Sequence, residues 1–444
     1  MINFLSKMFG FDQKILIFLS SRAFSYLSYP ITLTMIIKFL SPEQQGYYYT
    51  FLTLLGLSMF LELGLGIILT NFASHEFSNL KWDKNNNLIG NSLSLGRSYS
   101  LIQRTIFWFT SLAILFFILM VGVGIFFFGE FSLDNSIFLS WVLFLIVFSP
   151  GLIISPLLSI LQGFQKIKEV QFVIFLQVFF SILFFWIALL YDLGLNALVV
   201  QFLVQNIISF LYLLIKYPSL IIKSLSSSNN LFSWRQEVLP LQIKTGFTWL
   251  VSYLGLNLLV PFSFKIFGPV IAGQLGMSFK ISEIVSIICL AWVNTRVPEM
   301  GQIIAKNNIK QFNKLFYSTL RSVVIVGALF SVSIFGLLSV IDNFGIDNFL
   351  NRILPINFIM LLIFGYYMFS ISNYFSMTIR AFKDEKMIMP NLIALFVYIV
   401  AISASLTLND YKFLIISFFI TNFFIILPFS ILFIRKTLQE KEFI

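Results

Sequence analysis

Apolar stretches of about twenty residues or more recur from one end of this sequence to the other, separated by short polar connections. A helix that crosses the hydrocarbon core of a bilayer needs about 20 mostly apolar residues. Lipid also admits only elements that satisfy their own backbone hydrogen bonds. Twelve segments meet the length requirement, at about 14–40, 46–72, 99–128, 137–161, 171–191, 197–216, 241–267, 270–295, 316–341, 355–379, 389–408 and 412–434. With 58% hydrophobic and 11% charged residues, against about 25% charged in soluble chains, the expected class is an all-α integral membrane protein. The first run contains Arg22, exceeds a signal-peptide core and precedes no small-residue cleavage site, so it reads as a retained helix. Pro30, Pro156 and Pro261 fall inside spans and suggest kinks, which neighbouring helices can satisfy.

The rest of the composition mainly excludes. One cysteine, Cys289, permits no internal disulfide and reads as a packing residue. One histidine, His75, without a Cys/His cluster argues against a protein-built metal site, and it reads as a solvated loop residue. No catalytic group and no cofactor is expected. The 56 phenylalanines read as lipid-facing filler.

Charge sets the expected direction. Basic residues gather in alternate connections: Lys81, Lys84, Arg97 and Arg104, then Lys166 and Lys168, then Lys216, Lys223, Arg235 and Lys244. The pattern continues with Arg296, Lys306, Lys310, Lys314 and Arg321, then Arg380, Lys383 and Lys386, and a tail of Arg435, Lys436 and Lys441. The intervening connections hold mainly Glu43, Glu130, Asp134, Asp192, Asp342, Asp347 and Asp410. By the positive-inside rule both termini face the cytoplasm. The net charge of +10 is then a topology signal suited to anionic membrane lipids, and needs no nucleic acid.

The chain also repeats itself. "KFLSPEQQG" at 38–46 and "KIFGPVIAG" at 265–273 share a Lys-x-x-x-Pro-x-x-x-Gly skeleton, 227 residues apart, an offset that Tyr26 and Tyr253 keep. "LQGFQKIK" at 161–168 echoes "IRAFKDEK" at 379–386. Two parallel six-helix repeats follow: residues 1–216 as an N-terminal lobe, 217–240 as a cytoplasmic linker with the flexible-looking "SSSNN" at 226–230, and 241–444 as a C-terminal lobe with its tail. Such halves are expected to bind substrate near the midplane and to rock against one another, which argues for a transporter.

Four ionisable residues lie at bilayer depth: Arg22, Glu62, Lys280 and Glu283. Each costs roughly 2.5–3.5 kcal/mol on insertion scales and is expected to face a partner or a wet cavity. Arg22 and Glu62 fall at similar depth, either as an ion pair that fixes helix packing or as an anion anchor with an ion-carrying neighbour. Lys280 and Glu283 share a helix face, and could neutralise each other. The repeat places Thr53 and Gly56 at the matching positions, so the architecture does not require the pair, and it is a candidate for ligand or ion coupling. Lys38 and Lys265 sit at equivalent repeat positions near helix ends and, with Lys244, can snorkel; the first two are also candidates for an outer mouth. Ser25, Tyr26 and Tyr29 lie with Arg22 on a polar, aromatic stretch, "SSRAFSYLSYP", that suits sugar or helix–helix contact.

The segment "RAFSYLSYPITLTMIIKFLSPEQQGYYYTFLTLLGLSMFLELGLGIILTNFASHE" resembles the first two helices of the polysaccharide-transporter family. These are the O-antigen type flippases of the multidrug/oligosaccharidyl-lipid/polysaccharide exporter superfamily. Arg22, the turn Leu40–Gly46, Glu62-Leu63-Gly64-Leu65-Gly66 and Phe72-Ala73-Ser74-His75-Glu76 carry the likeness, and "LQGFQKIK" extends it. The resemblance implies a V-shaped, MATE-like fold with a central cationic cavity in the bacterial inner membrane. Its implied substrate is an undecaprenyl-diphosphate-linked oligosaccharide, an O-antigen or lipopolysaccharide repeat unit, moved to the periplasmic leaflet on a proton or sodium gradient. Polysaccharide polymerase machinery would be a candidate partner. On this reading Arg22, Lys280, Ser25, Tyr26, Tyr29, Lys38 and Lys265 serve the diphosphate or sugar, and Glu62 and Glu283 the ion. The rivals are a multidrug cation antiporter of the same fold, a membrane polymerase or ligase, for which no outward His/Arg/Glu cluster is found, and a major-facilitator sugar permease, whose Gly-Asp-Arg-Gly-Arg-like connection is lacking.

Overall fold

The computed structural model describes residues 13–62, 65–129, 135–226, 232, 234, 238, 254, 257–306, 308–382 and 384–441. The side chains of residues 13–23 and of Tyr26 are outside the described set, as are residues 239–253. Of the expected site residues, Arg22 and Tyr26 are therefore placed by their backbone alone; Tyr253 and Lys244 are not described.

Among the described residues the chain is all-α apart from one two-stranded hairpin. Helix α1 is Gln13–Phe39, and α2, Pro42–Leu55, begins the second expected span. That span does not run through: a 3₁₀ turn at Gly56–Ser58 and a single turn at Met59–Glu62 precede α3, Leu65–Phe77. The hairpin, β1 Leu80–Trp82 and β2 Leu88–Gly90, pairs Lys81 with Ile89. Then follow α4 Ser92–Phe128, α5 Asn135–Gly163, α6 Ile167–Leu190, α7 Asn196–Lys216 and the short α8 Pro218–Leu225. The second half carries α9 Leu259–Phe267, α10 Pro269–Ala305, α11 Ile309–Asn343, α12 Ile356–Ala381 and α13 Ile388–Leu408. The last span is α14 Lys412–Ile420, a π-helical segment Thr421–Ile426, and α15 Leu427–Glu440. Nine helices among the described residues are long and apolar enough to cross a membrane. The expected spans at 14–40 and 46–72 fall on α1 and on the broken α2–α3, and only the end of 241–267 is described, as α9.

Contacts divide the chain into two compact units, one of residues Met1–Ser41 and Leu55–Trp249, the other of Pro42–Leu54 and Leu250–Ile444. The grouping does not follow chain order, because α2 packs with the second unit.

In the first unit α1 and α7 both pack on α6, and α3, α4 and α7 pack on α5. Between apolar helices in lipid, close packing and polar contacts replace the hydrophobic drive. Thr32 accepts a hydrogen bond from the Trp186 indole at 3.0 Å, and Ser28 Oγ donates to the Ser25 carbonyl at 3.0 Å. That stretch of α1 thus includes a helix–helix contact with α6. At the end carrying the basic connections, Leu65, Leu69, Ala73, Leu101 and Phe164 form a fully buried core. Phe232, Trp234 and Val238, in the segment read as linker, are buried in the same core. Phe232 stacks edge-on against Phe72 with centroids 5.4 Å apart.

Two motifs behind the family resemblance meet here. A Cβ on Gly163 would come within 2.5 Å of the Thr70 carbonyl and 2.6 Å of the Ala73 methyl, so only glycine lets α5 approach α3. Phe164 then enters the core, and its carbonyl accepts from the Trp82 indole at 2.8 Å. Lys166 stands 4.9 Å from the Trp82 ring centroid and donates to Asn86. Glu169 accepts from Lys216 at 2.6 Å and from the Tyr217 hydroxyl at 2.8 Å. "LQGFQKIK" and "NFASHE" are therefore the packing core of one end of the unit.

In the second unit α10 packs on α11 and α12, and the last span packs along α12. Gln45, 1% exposed, donates to the carbonyls of Gly273 and Arg352, both at 2.9 Å. At the opposite end Lys386 meets Glu440 at 2.6 Å and Asp384 at 3.2 Å. Cys289 is buried, its thiol 3.6 Å from the Val323 carbonyl, consistent with a packing role.

Candidate functional site

Among the described residues, one polar locus in each unit lies within apolar spans.

In the first unit the second expected span changes to a 3₁₀ turn at Gly56–Ser58 and a single α turn at Met59–Glu62. Ser58 and Glu62, at the break, line a cavity of about 350 Å³. α5 contributes Ser155, Ser159 and Gln162, spaced to fall on one helix face. α6 supplies Gln177, and α7 supplies Gln205 and Asn206. The Gln177 amide donates to the Ser209 hydroxyl, and the Asn206 amide donates to the Val147 carbonyl at 2.6 Å. Among the described residues Glu62 has no ion-pair partner, and no lysine or arginine lines this cavity. The expected pairing of Arg22 with Glu62 rests on a side chain outside the described set.

In the second unit Lys280 stands twelve residues along α10, about 17 Å from its start at 1.5 Å rise per residue. Its Nζ lies 2.7 Å from Glu283, one turn on, with side chains 44% and 35% exposed. Tyr366 is within electrostatic range of Glu283 and of Tyr398. The Tyr398 and Thr421 hydroxyls are 2.6 Å apart. Thr421 already donates to the Ser417 carbonyl at 2.8 Å, so Tyr398 is the donor between them. The π-helical segment begins at Thr421, and Asn422 donates back to the Phe418 carbonyl. Such single π turns inside α-helices recur at functional sites.

The remaining expected residues are scattered. Lys38 is exposed at the end of α1, 5.3 Å from the Phe39 ring centroid. Lys265, half-buried, sits in the last turn of α9. Ser25 and Tyr29 are half-buried on α1. His75 is not a loop residue: it occupies the last turn of α3 and lines a second cavity of about 680 Å³ with Glu76 and Arg97, which pair at 2.7 Å.

The amides of the Glu62 cavity give a weaker sequence signal than charges at depth. Gln177, Gln205 and Asn206 stand in apolar runs as plainly as Glu62 does. Lys280–Glu283 is recognisable from its spacing; Tyr366, near Glu283, comes from another helix and leaves no local signal.

The fold defines an all-α membrane protein with a MATE-like architecture. No protein-family model and no curated protein sequence matches the chain. Solved structures do. An inward-facing multidrug resistance MATE family transporter of the MOP superfamily is similar over 95% of this chain and 98% of its own, with a TM-score of 0.61 at 11% identity. The lipid II flippase MurJ, in an inward closed conformation, is similar over 96% of this chain and 90% of its own, with a TM-score of 0.64 at 16% identity. A MOP superfamily transporter from Pyrococcus furiosus, described as having a binding pocket of reversed polarity, is similar over 97% and 96%, with a TM-score of 0.58 at 11% identity. At these identities the likeness establishes the fold, that of MOP superfamily transporters.

Proposed function

We propose that this protein is a flippase for a polyprenyl-diphosphate-linked oligosaccharide, an O-antigen or related surface-polysaccharide repeat unit on undecaprenyl diphosphate. It would sit in the bacterial inner membrane with both termini cytoplasmic, carrying its cargo to the periplasmic leaflet. The observation that carries the reading is the Lys280–Glu283 pair. Both side chains are a third or more exposed in the middle of an apolar span. A charge facing lipid at that depth is costly, so the exposure is to a water-filled space, and a cation there suits a diphosphate. Similarity in fold to a lipid II flippase supports a lipid-linked cargo.

The mechanism breaks no covalent bond. Lys280, held by Glu283, is free to engage phosphate oxygens once the carboxylate is neutralised by a proton, or drawn away by sodium. Charge-assisted hydrogen bonds from lysine or arginine are among the stronger ones. Ion and substrate are then linked: whichever binds first strengthens the other by the same factor. Arg22 is proposed as a second anion anchor, Ser25, Tyr26 and Tyr29 as its polar surround, Lys38 and Lys265 as rim cations, and Glu62 as a second ion carrier. Polymerase machinery is the proposed downstream partner.

Deleting the gene tests this in cells. The expected result is lipid-linked oligosaccharide retained on the cytoplasmic leaflet and restored to the surface by the wild-type protein but not by Lys280→Ala. Glu62, lining a cavity with no basic residue among the described ones, favours a second reading as a cation antiporter. In that case the deletion strain becomes drug-sensitive and its glycan lipid distribution is normal.

A further inference from the structure

Among the described residues the wall of the first unit's cavity carries a carboxylate, amides and hydroxyls and no cation, a lining suited to a neutral polar group rather than to a diphosphate. We infer that it is a saccharide subsite, taking the neutral, polyhydroxylated part of the cargo; this rests on the flippase reading above.

The wall is built for hydroxyl groups. Gln177 donates its amide N–H groups to the Ser209 hydroxyl and the Gln205 backbone carbonyl and so presents a carbonyl oxygen, while Asn206 donates to the Val147 carbonyl and presents its carbonyl oxygen and its second N–H. Gln162 and Gln205 have no side-chain partner among the described residues, and each offers both a donor and an acceptor. Glu62 adds a strong acceptor. A sugar hydroxyl both donates and accepts, and so matches this mixture; a bare cation uses only the oxygens and leaves the Gln162 and Gln205 N–H groups unmatched. Size points the same way. A space of about 350 Å³ falls within the range of small-molecule pockets and holds about a dozen waters at ~30 Å³ each, far more than one ion displaces. Phe148 and Phe202, with ring centroids 5.6 Å apart, give the cavity an apolar wall for the C–H face of a sugar ring. A Cβ on Gly151 would lie 2.8 Å from the Asn206 amide oxygen, so glycine there lets that acceptor seat against α5.

The test compares two lipids on the full-length protein in detergent, by native mass spectrometry or thermophoresis. One is bare undecaprenyl diphosphate; the other is the undecaprenyl-diphosphate-linked oligosaccharide extracted from the cells that make this protein. The wild-type protein is expected to prefer the glycosylated lipid by about tenfold or more, the worth of one or two hydrogen bonds. In Gln205→Leu, and separately in Gln162→Leu, the ratio of the two affinities is expected to fall toward one. The ratio is internal, since a partly unfolded variant weakens both lipids together. An unchanged ratio in both variants, or a wild-type ratio of one, overturns the saccharide subsite and leaves the flippase reading standing. An unchanged ratio with lost sodium or proton binding overturns it in favour of an ion site. Binding of neither lipid by the wild-type protein overturns both.

Discussion

Gly46 and Gly273 pack against one another in the second unit, each the closing residue of one Lys-x-x-x-Pro-x-x-x-Gly segment. A Cβ on Gly46 would strike the carbonyl of Pro269, and one on Gly273 would lie 3.2 Å from the carbonyl of Pro42 and 2.9 Å from the Gly46 nitrogen. The relationship is reciprocal: each motif's glycine receives the other motif's proline carbonyl, as at an isologous contact. Sequence similarity between the segments is therefore also a self-complementary contact between α2 and α10.

Backbone lies at the Gly46 contact, so nothing flexible can yield. Gly46→Ala is expected to cost about 1–3 kcal/mol, the usual penalty of overpacking. Gly122→Ala, where a Cβ meets open space, is expected to be neutral. Thermal unfolding of the two purified variants beside wild type checks this; equal melting temperatures would refute the contact.

The Glu169 cluster offers a second stability test. Tyr217→Phe removes a hydroxyl that donates to Glu169 at 2.8 Å and leaves the buried ring in place. The expected loss is about 1.5 kcal/mol, one hydrogen bond to a charged acceptor at the lower end of its range. Tyr191→Phe, an exposed ring at the opposite end of α6, is the control and is expected to change nothing.

Much of this was legible from sequence, and the limits have physical causes. Span lengths follow from bilayer thickness, so the helices α4 to α7 and α10 to α13 stand where hydropathy places them. The break between α2 and α3 was not visible, since Gly56, Gly64 and Gly66 are common enough in membrane helices. Nor was the grouping of α2 with the second unit, which depends on Gln45 reaching Gly273 and Arg352 across more than 200 residues of chain. The buried charges announced themselves by their cost in lipid. The amides around Glu62 carry a smaller cost in lipid and give a correspondingly weaker signal in the sequence.

The hairpin turn should respond to acid. Asp83 accepts from the backbone N–H of Asn87 at 2.6 Å, then from its side chain and from the Asn85 N–H, which holds its carboxyl below the ordinary value. The unfolded turn, with a carboxyl near about 3.9, takes up a proton first as pH falls. The contribution is thus present above that value and lost as pH drops through the lower folded one. Hydrogen exchange at the Asn85 and Asn87 amides, between about pH 5 and pH 2, is expected to lose protection in wild type. Asp83→Asn is expected to show no such step.

Charge exchange separates packing from function at the second-unit site. The double variant Lys280→Glu/Glu283→Lys keeps an ion pair at the same spacing, while moving the cation one turn. Its melting temperature is expected to match wild type, and its transport to fall about tenfold or more, the loss of one charge-assisted hydrogen bond of ~1.5–3 kcal/mol. Full transport by the double variant would make the pair a packing device.

The most direct test of the central claim is transbilayer movement in proteoliposomes holding only this protein and the extracted undecaprenyl-diphosphate-linked oligosaccharide, scored by an impermeant glycan-modifying reagent. The account predicts transfer between leaflets with wild-type protein, faster under an imposed proton or sodium gradient and lost in Lys280→Ala. Transfer that proceeds equally in Lys280→Ala, or no transfer by a protein that instead moves an organic cation, would contradict it.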